Sequence, residues 1–381
     1  HRSMLRHLPK TVDIFLVGGT IRDLLLQRTT KDLDVVVTGM PLKRLERLLQ
    51  PLGTVKKVGA RFGVLLLRPK GTDLTMDIAL PRTEHAFGTG GYRDFSFATD
   101  PHLPIEHDLA RRDFTINAMA YDLRKGTLVD PHQGRKDVRN KVVRTVGKPE
   151  ERFQEDYSRL LRLVRFVVQL GFSVERNTAR RAVKLMPKLN EQRKGMFVVP
   201  REVIAEQFLR TLAGHPKKAL DVMERFGVFD VLMPELSHLK HCTQSKDFHS
   251  EGTAFRHTCR ALTRLGSIAW NKEFGNSVPL VVVIGTLLHD IGKPSCKRLI
   301  RQHGKLHISF QHHDERGSAL AASIVRRLKL SSYGGMVSDH EVVWLIKSHM
   351  TAVQHMERPL PRCVLAERFV GERGLHLLQL M

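Results

Sequence analysis

The sequence predicts an α+β protein, with a head of mixed β-sheet and helices followed by an all-α remainder. Three observations carry that expectation. Short β-branched runs at residues 14–17, 34–37, 62–67, 74–80 and 127–130 alternate with helical stretches up to about residue 146. Strands then nearly vanish, and residues 152–170, 177–189, 200–212, 216–226 and 228–239 read as successive helices parted by Gly- or Pro-marked turns. A second change of composition at residues 246–253, rich in His, Ser and Gly, marks another boundary. The expected regions are therefore 1–146, 147–250 and 251–381.

At 381 residues the chain can build several cores, and its 41% hydrophobic content is ordinary for a soluble protein. Its net charge of +23 is not ordinary and points to a polyanionic partner held through phosphates. Cys242, Cys259, Cys296 and Cys363 show no C-x-x-C spacing, so free thiols in a reducing compartment, the cytoplasm, are expected. No membrane partner is expected either. The longest apolar run, residues 278–288, contains Pro279 and Gly285 and is short of the roughly 20 residues a span needs. His1, Arg2 and Ser3 ahead of Met4 read as residues foreign to the protein and stay out of the fold argument.

Chemistry first shows in VGGTIRD (residues 17–23) followed by KDLDVVV (residues 31–37). Gly18 and Gly19 lie between a strand-like run and a helix start, where absent β-carbons let backbone N–H groups approach a triphosphate. Asp32 and Asp34 are two apart in a strand, so both carboxylates leave one face, as a pair of Mg²⁺ ions requires. Alone, either half is weak; together they imply phosphoryl or nucleotidyl transfer.

Asp77, in LTMDIAL, is the candidate third metal-facing carboxylate. Residues 82–105 hold Gly88, Gly90, Gly91, Tyr92, Phe95 and Phe97 without a clear period and read as a mobile loop over the site. In ARRDFTINAMAYD, Arg111 and Arg112 can grip a triphosphate or its ribose, and Asp113 is placed to cap the apolar helix expected to contain Asn117.

Six segments then fall in a recognisable order: GGTIRD, DLD, RRDFTINAMAYD, DPHQGRKD, EDYSRLLRLVRF and VPREVIAEQF. Together they resemble class II tRNA nucleotidyltransferases and the bacterial poly(A) polymerases, over nearly all of residues 12–240. The resemblance implies a nucleotidyltransferase palm followed by helical neck and body, and addition of C, C and A to tRNA 3′ ends from CTP and ATP with Mg²⁺. Related enzymes adding only CC, only A or poly(A) share these motifs and differ mainly in the loop, whose full length here speaks against a CC-only enzyme. Matched residue by residue, Asp32 and Asp34 are metal-binding and catalytic, while Gly18, Gly19, Arg22 and Asp23 face the triphosphate. Arg111, Arg112, Asp113 and Asn117 match the ribose-side motif, and Glu155, Asp156, Arg159 and Arg162 lie in the base-reading segment.

Base reading has its own logic. Asp156 and Arg159, three apart, are expected to share a helix face. A carboxylate accepts from an exocyclic amino group while a guanidinium donates to the adjacent ring nitrogen, which suits cytosine and adenine and mispairs uracil and guanine. The basic helices, with Arg180, Arg181, Lys184, Lys188, Arg193 and Lys194, are expected to hold the acceptor arm of tRNA by phosphates and shape.

Near the C-terminus, His257, LLHDIGKP (residues 287–294) and His312-His313 resemble the HD phosphohydrolases. That resemblance implies a divalent transition metal on His257, His289 and Asp290, with Lys293, His312 and His313 meeting substrate phosphate; His349 is a weaker candidate. A last metal-binding Asp is expected farther along, since Asp339 stands in the wrong context, and the chain is expected to be cut short inside this domain with one ligand missing. Phosphatase or 2′,3′-cyclic phosphodiesterase action on RNA ends would be its activity. If the head only bound RNA, hydrolysis would be the main function instead.

Overall fold

In this computed structural model, the described residues are 6–30, 32–58, 63–91, 94–245, 251–302, 305–351 and 361–380. Lys31, Tyr92, residues 1–4, the start of the strand expected at 62–67 and most of the boundary expected at 246–253 lie outside them. The chain divides into two compact units: residues 1–159 with 170–184, and residues 160–169 with 185–381.

The first unit is built on a seven-stranded sheet in the order β3-β4-β5-β2-β1-β8-β9. Its strands are β1 (Ile14–Val17), β2 (Asp32–Val37), β3 (Gly53–Val58), β4 (Val64–Pro69), β5 (Thr75–Ala79), β8 (Ala120–Asp122) and β9 (Thr127–Val129). β6 (Arg82–Ala86) and β7 (Phe95–Thr99) form a separate antiparallel pair. β1 is central and buried at every position, which is why it reads as an unbroken apolar run. On β2, the valines Val35, Val36 and Val37 are buried while Asp32 and Asp34 stay exposed at its start. The strand thus anchors itself at one end and presents acids at the other.

Between β1 and β2 lies the short helix α1 (Gly19–Leu25), followed along the chain by α2 (Leu42–Leu49), α3 (Ile105–Ala110), α4 (Gly134–Arg139), α5 (Pro149–Glu155), α6 (Ser158–Leu170), most of which belongs to the second unit, and α7 (Arg176–Leu185). Sequence periodicity differs from this in three places. The expected helix around Asn117 is instead a 3₁₀ turn, Thr115–Asn117, leading into β8. Its alternation is too short to signal a strand, and pairing with β1 decides the matter. The supposed loop at 82–105 contains β6 and β7, whose ladder joins residues far apart in sequence. Finally, the helix expected over 152–170 breaks at Asp156, which is extended at φ −158° and ψ 105° and accepts a hydrogen bond from the Ser158 N–H.

The second unit is almost wholly helical. Its chain runs from α6 through α8 (Arg201–Leu212), α9 (Pro216–Arg225), α10 (Val228–Leu232) and α11 (Pro234–Leu239), where Pro234 splits one expected helix in two. Next come α12 (Ala254–Arg264), α13 (Ile268–Phe274), α14 (Leu280–Leu288), α15 (Lys293–Cys296), α16 (His313–Arg327), α17 (Asp339–Ser348), α18 (Arg362–Arg368) and α19 (Gly371–Leu380). Every residue of α14 is buried, so it forms the centre of the C-terminal region. Among the described residues no helix is long and apolar enough to cross a membrane.

Candidate active site and metal centre

In the first unit, β2 runs parallel to β5 in a register that pairs Asp34 with Asp77 and Asp32 with Thr75. Side chains paired in this way leave the same face, so Asp32, Asp34 and Asp77 form one acidic edge. The protein crowding Asp34 raises its carboxyl above the usual range; Asp77 and Asp32 push the same way, while Arg112 and Arg22 oppose them. Asp77 is raised by burial and then by Asp32. Mutually repelling acids on one rigid sheet are a site for a cation. The set is open: among the described residues, no three metal-ligating groups of the head converge as tightly as those of the C-terminal cluster described below. Openness suits Mg²⁺, which keeps waters and takes one or two carboxylates plus substrate phosphates.

The glycine turn is tied to these acids. The Asp34 N–H donates to Thr20 Oγ1 at 3.0 Å, fixing α1 beside β2. Gly18 has φ +67°, and a β-carbon there would stand 2.5 Å from Arg112 Nη1 and 3.4 Å from Asp34 Oδ2. Arg112 therefore lies across Gly18 at the acidic edge. Its partner Arg111 turns away, donating to Asp108 at 2.6 Å and to Glu84 at 2.6 Å. Arg22 is held by Asp23 and donates to Asn117 Oδ1 at 2.7 Å, and Asn117 in turn donates to Asp113. Asp113 accepts from Phe114 N–H rather than capping a helix, since no helix follows.

Support for this constellation comes from residues that received no individual role from the sequence. Asp108 is fully buried, and its carboxylate accepts from both Arg111 and Arg112, three and four residues on. That spacing on α3 is its only sequence signal. In DPHQGRKD, Asp130 accepts from the N–H groups of Gly134 and Arg135, and Asp137 accepts from Thr115 Oγ1 at 2.7 Å. This segment braces RRDFTIN. Gly90 passes so close to Tyr157 that a β-carbon would lie 2.0 Å from the ring, pinning the loop near the base-reading segment.

That segment differs from the helical-face expectation. Asp156 lies in the break between α5 and α6, and Arg159 instead donates to Glu155 at 2.5 Å, to the Arg152 carbonyl at 2.9 Å and to the Arg111 carbonyl at 3.4 Å. Glu155 thus orients Arg159, leaving Asp156 to start α6. Arg162 is one turn further along α6, with its guanidinium 5.7 Å from the Phe166 ring.

In the second unit, His289 and Asp290 follow α14, buried together, and Asp290 is 1% exposed. Gly292 meets α16 so closely that a β-carbon would lie 2.2 Å from the His313 carbonyl and 2.6 Å from Gly317 N. This glycine contact brings His313 to Asp290. His257 comes from α12, and His349 follows the end of α17. Two sets converge, each with ligand atoms within 4.8 Å of one another: His257, His289 and Asp290, then Asp290, His313 and His349.

The sequence pattern yields three ligands and a missing fourth; the structure adds His313 and His349. Asp339 is at the opposite end of α17, about 15 Å away by helical rise. His312 does not join, being 79% exposed with Glu315 at 3.7 Å.

Four imidazoles are held in one tautomeric sense. Nδ1 of His257 donates to Glu251 at 2.6 Å, that of His289 to the Thr286 carbonyl at 2.8 Å, that of His313 to the Phe310 carbonyl at 2.8 Å and that of His349 to the Ile346 carbonyl at 2.5 Å. Each Nε2 lone pair is left facing inward. His313 Nε2 and His349 Nε2 lie 3.2 Å apart, an acceptor-to-acceptor contact that only a cation makes favourable. Burial lowers the pKa of His257 and His313, and pushes His349 down to about 3 with help from His289. Asp290 is held well below the usual carboxylate range, because His289 and Lys293 outweigh its burial. His257, His313 and His349, all lowered in pKa, around an ionised carboxylate suit a divalent transition metal.

Fold and sites together define a nucleotidyltransferase head followed by an HD-type domain. Family models agree: the poly A polymerase head domain matches residues 14–144 and the HD domain residues 254–369. The chain belongs to the multifunctional CCA protein family of tRNA nucleotidyltransferases. It is 32% identical over 338 residues to the multifunctional CCA protein of Neisseria gonorrhoeae, covering 88% of this chain and 74% of that one. With the counterpart from Alkalilimnicola ehrlichii it shares 34% identity over 319 residues, 83% and 70% of the two chains. A Thermotoga maritima CCA-adding enzyme complexed with tRNA has the same fold, with TM-score 0.61, 23% identity and coverage of 97% of this chain and 75% of that one.

Proposed function

We propose that this chain adds C, C and A to the 3′ end of tRNA without a nucleic acid template, using CTP and ATP and releasing pyrophosphate. The observation that carries the reading is the acidic edge of Asp32, Asp34 and Asp77 facing Gly18 and Arg112. In the reaction the tRNA 3′-oxygen bonds to the α-phosphorus, the bond from that phosphorus to the bridging oxygen breaks, and the hydroxyl proton passes to solvent. Mg²⁺ held by Asp32 and Asp34, with Asp77 beside them, supplies Lewis-acid charge for the attacking and leaving oxygens when bound. Gly19 offers its backbone N–H to the triphosphate, Gly18, whose own N–H donates to the Met119 carbonyl, lets the chain turn closely there, Arg112 adds positive charge at the same edge, and Arg22 with Asp23 and Asn117 shapes its border. Arg159, steadied by Glu155, and Asp156 read the amino edge of the base, while Arg162 continues that basic line. The functional division we assign is head 1–146, neck and body 147–250 and HD domain 251–381. A tRNA substrate and cysteines left as free thiols support a cytoplasmic location.

A second activity is favoured by the C-terminal cluster: hydrolysis of phosphate esters at RNA ends by a divalent transition metal on His257, His289, Asp290, His313 and His349, with Lys293 at its edge.

The test uses tRNA ending before CCA, after C and after CC, incubated with Mg²⁺, CTP and ATP, with one nucleotide labelled at a time. Native protein should extend each to CCA, and Asp32→Ala with Asp34→Ala should extend none. Unchanged incorporation by the double variant removes these acids from the reaction.

A further inference from the structure

Lys293 occupies an unusual position beside the C-terminal cluster. It is 5% exposed, and its Nζ lies 2.9 Å from Asp290 Oδ2, the carboxylate shared by both candidate ligand sets. That contact is an ion pair without hydrogen-bonding geometry, so Oδ2 has no hydrogen-bond partner. The same ammonium donates a hydrogen bond to Gln244 Oε1 at 2.6 Å and sits 5.4 Å from the Phe310 ring. One buried cation thus stands between a carboxylate and an amide oxygen, near enough to serve both.

Gln244 is fixed for this role. It is 4% exposed, its N–H donates to the Gly252 carbonyl at 2.9 Å, and the neighbouring Thr243 bridges Thr253 just ahead of α12. Its Nε2 finds no hydrogen-bond partner among the described residues. Leaving an amide donor unmet in the interior is costly, and it is tolerated here because the carbonyl faces the ammonium. A metal ion held by Asp290 would stand close to the Lys293 ammonium, and two cations on one carboxylate repel each other at that range.

We propose that Lys293 is a built-in rival for the metal ion at Asp290, and that Gln244 is the positioning residue that draws its ammonium off the carboxylate as the metal binds. The inference rests on the metal-binding reading of this cluster. Gln244 keeps its hydrogen bond while Lys293 gives up its ion pair, so the amide lowers the barrier and the cost of metal entry. Metal affinity is then set by two side chains that need not touch the metal.

The test is Mn²⁺ binding, followed by the loss of free-ion electron paramagnetic resonance signal, in the full chain with the head silenced by Asp32→Asn and Asp34→Asn. Lys293→Met should tighten binding about tenfold, within the range usual for coupled sites. Gln244→Met should weaken it about threefold, and should do nothing in the Lys293→Met background. Lys293→Arg, which keeps the charge, should not tighten binding. Equal weakening by Gln244→Met in both backgrounds overturns the inference, as does Mn²⁺ binding indifferent to Lys293→Met. Should Lys293→Met not fold, Gln244→Met alone decides, because unchanged affinity refutes the positioning role. If the head-silenced chain shows no Mn²⁺ site that His289→Ala abolishes, the metal reading itself fails, a result distinct from the others.

Discussion

Gly18 and Gly19 look equivalent in the sequence, and the structure predicts that alanine at the two positions will act in opposite ways. At Gly18, φ +67° with ψ −135° is a region that alanine enters at a cost of about 1–3 kcal/mol. A β-carbon would also stand 2.5 Å from Arg112 Nη1, so the guanidinium must retreat by about 1 Å to reach ordinary contact. Nη1 donates to the Asn117 carbonyl at 3.2 Å and Nη2 to Asp108 at 3.1 Å, and that retreat breaks at least one of them. A hydrogen bond from a charged donor is worth about 1.5–3 kcal/mol. The sum, about 2.5–6 kcal/mol, is a large share of the roughly 5–15 kcal/mol that holds a domain. At Gly19, by contrast, the nearest atom to an added β-carbon is Arg22 Nη2 at 3.4 Å, and the position opens α1, where alanine is favoured. Denaturant titration should therefore show Gly18→Ala strongly destabilised and Gly19→Ala not. Nucleotide incorporation should fall in both, through lost fold in the first and a raised KM for CTP in the second. Gly18→Ala within about 0.5 kcal/mol of native stability would refute the reasoning.

Asp34→Asn should abolish incorporation yet raise the thermal midpoint of the metal-free protein, because a raised carboxyl pKa means the ionised form strains the fold. That gain should be present at pH 7 and vanish in acid, where the native Asp34 is itself protonated; calorimetry across pH checks it. Arg159→Ala should cut the preference for CTP over UTP about tenfold, the scale of one mispaired buried group, and Glu155→Gln should do so partly; ratios of kcat/KM decide. His349, neutral in the fold with a pKa of about 3 against an ordinary 6.5, contributes stability that is complete above about pH 6.5. As pH falls from there toward 3, that contribution should be lost at about 1.4 kcal/mol per unit, and His349→Gln should flatten the slope in urea titrations.

Local signals located most of this molecule and failed where pairing decides. The Val35 to Val37 run revealed β2, and the spacing of Asp32 and Asp34 revealed their common face, since strand periodicity is written in adjacent residues. That Asp77 stands directly beside Asp34 is a matter of register between distant strands, so the sequence could nominate it and not align it. Asn117 was assigned to a helix because apolar residues around it suit one, whereas β8 forms only because β1 offers it a ladder. Asp156 misled for another reason. As an Asp it favours the start of a helix, and it breaks the run that its neighbours would otherwise continue. In the HD domain, His289-Asp290 was plain, but His349 reaches them only through the packing of α17, and Gly292 against Gly317 is legible as close approach only in three dimensions.

The two clusters proposed to hold metal show opposite electrostatic strategies, and the difference follows from what each would have to let go. Asp32, Asp34 and Asp77 repel one another on an open edge, with Arg112 and Arg22 as the opposing charges. Mg²⁺ proposed at such a set should be held best when nucleotide phosphates complete its shell, and less tightly once pyrophosphate departs. The HD cluster instead has four imidazoles whose Nδ1 atoms are already satisfied, gathered round one buried carboxylate. Its ligands are organised before any metal arrives, and nothing in them depends on substrate to finish the shell. Chelation should accordingly separate the two: a chelator dilute enough to leave Mg²⁺ in excess should spare incorporation while stripping a transition metal from the HD cluster. If incorporation instead tracked transition-metal content, the assignment of Mg²⁺ to the acidic edge would be wrong.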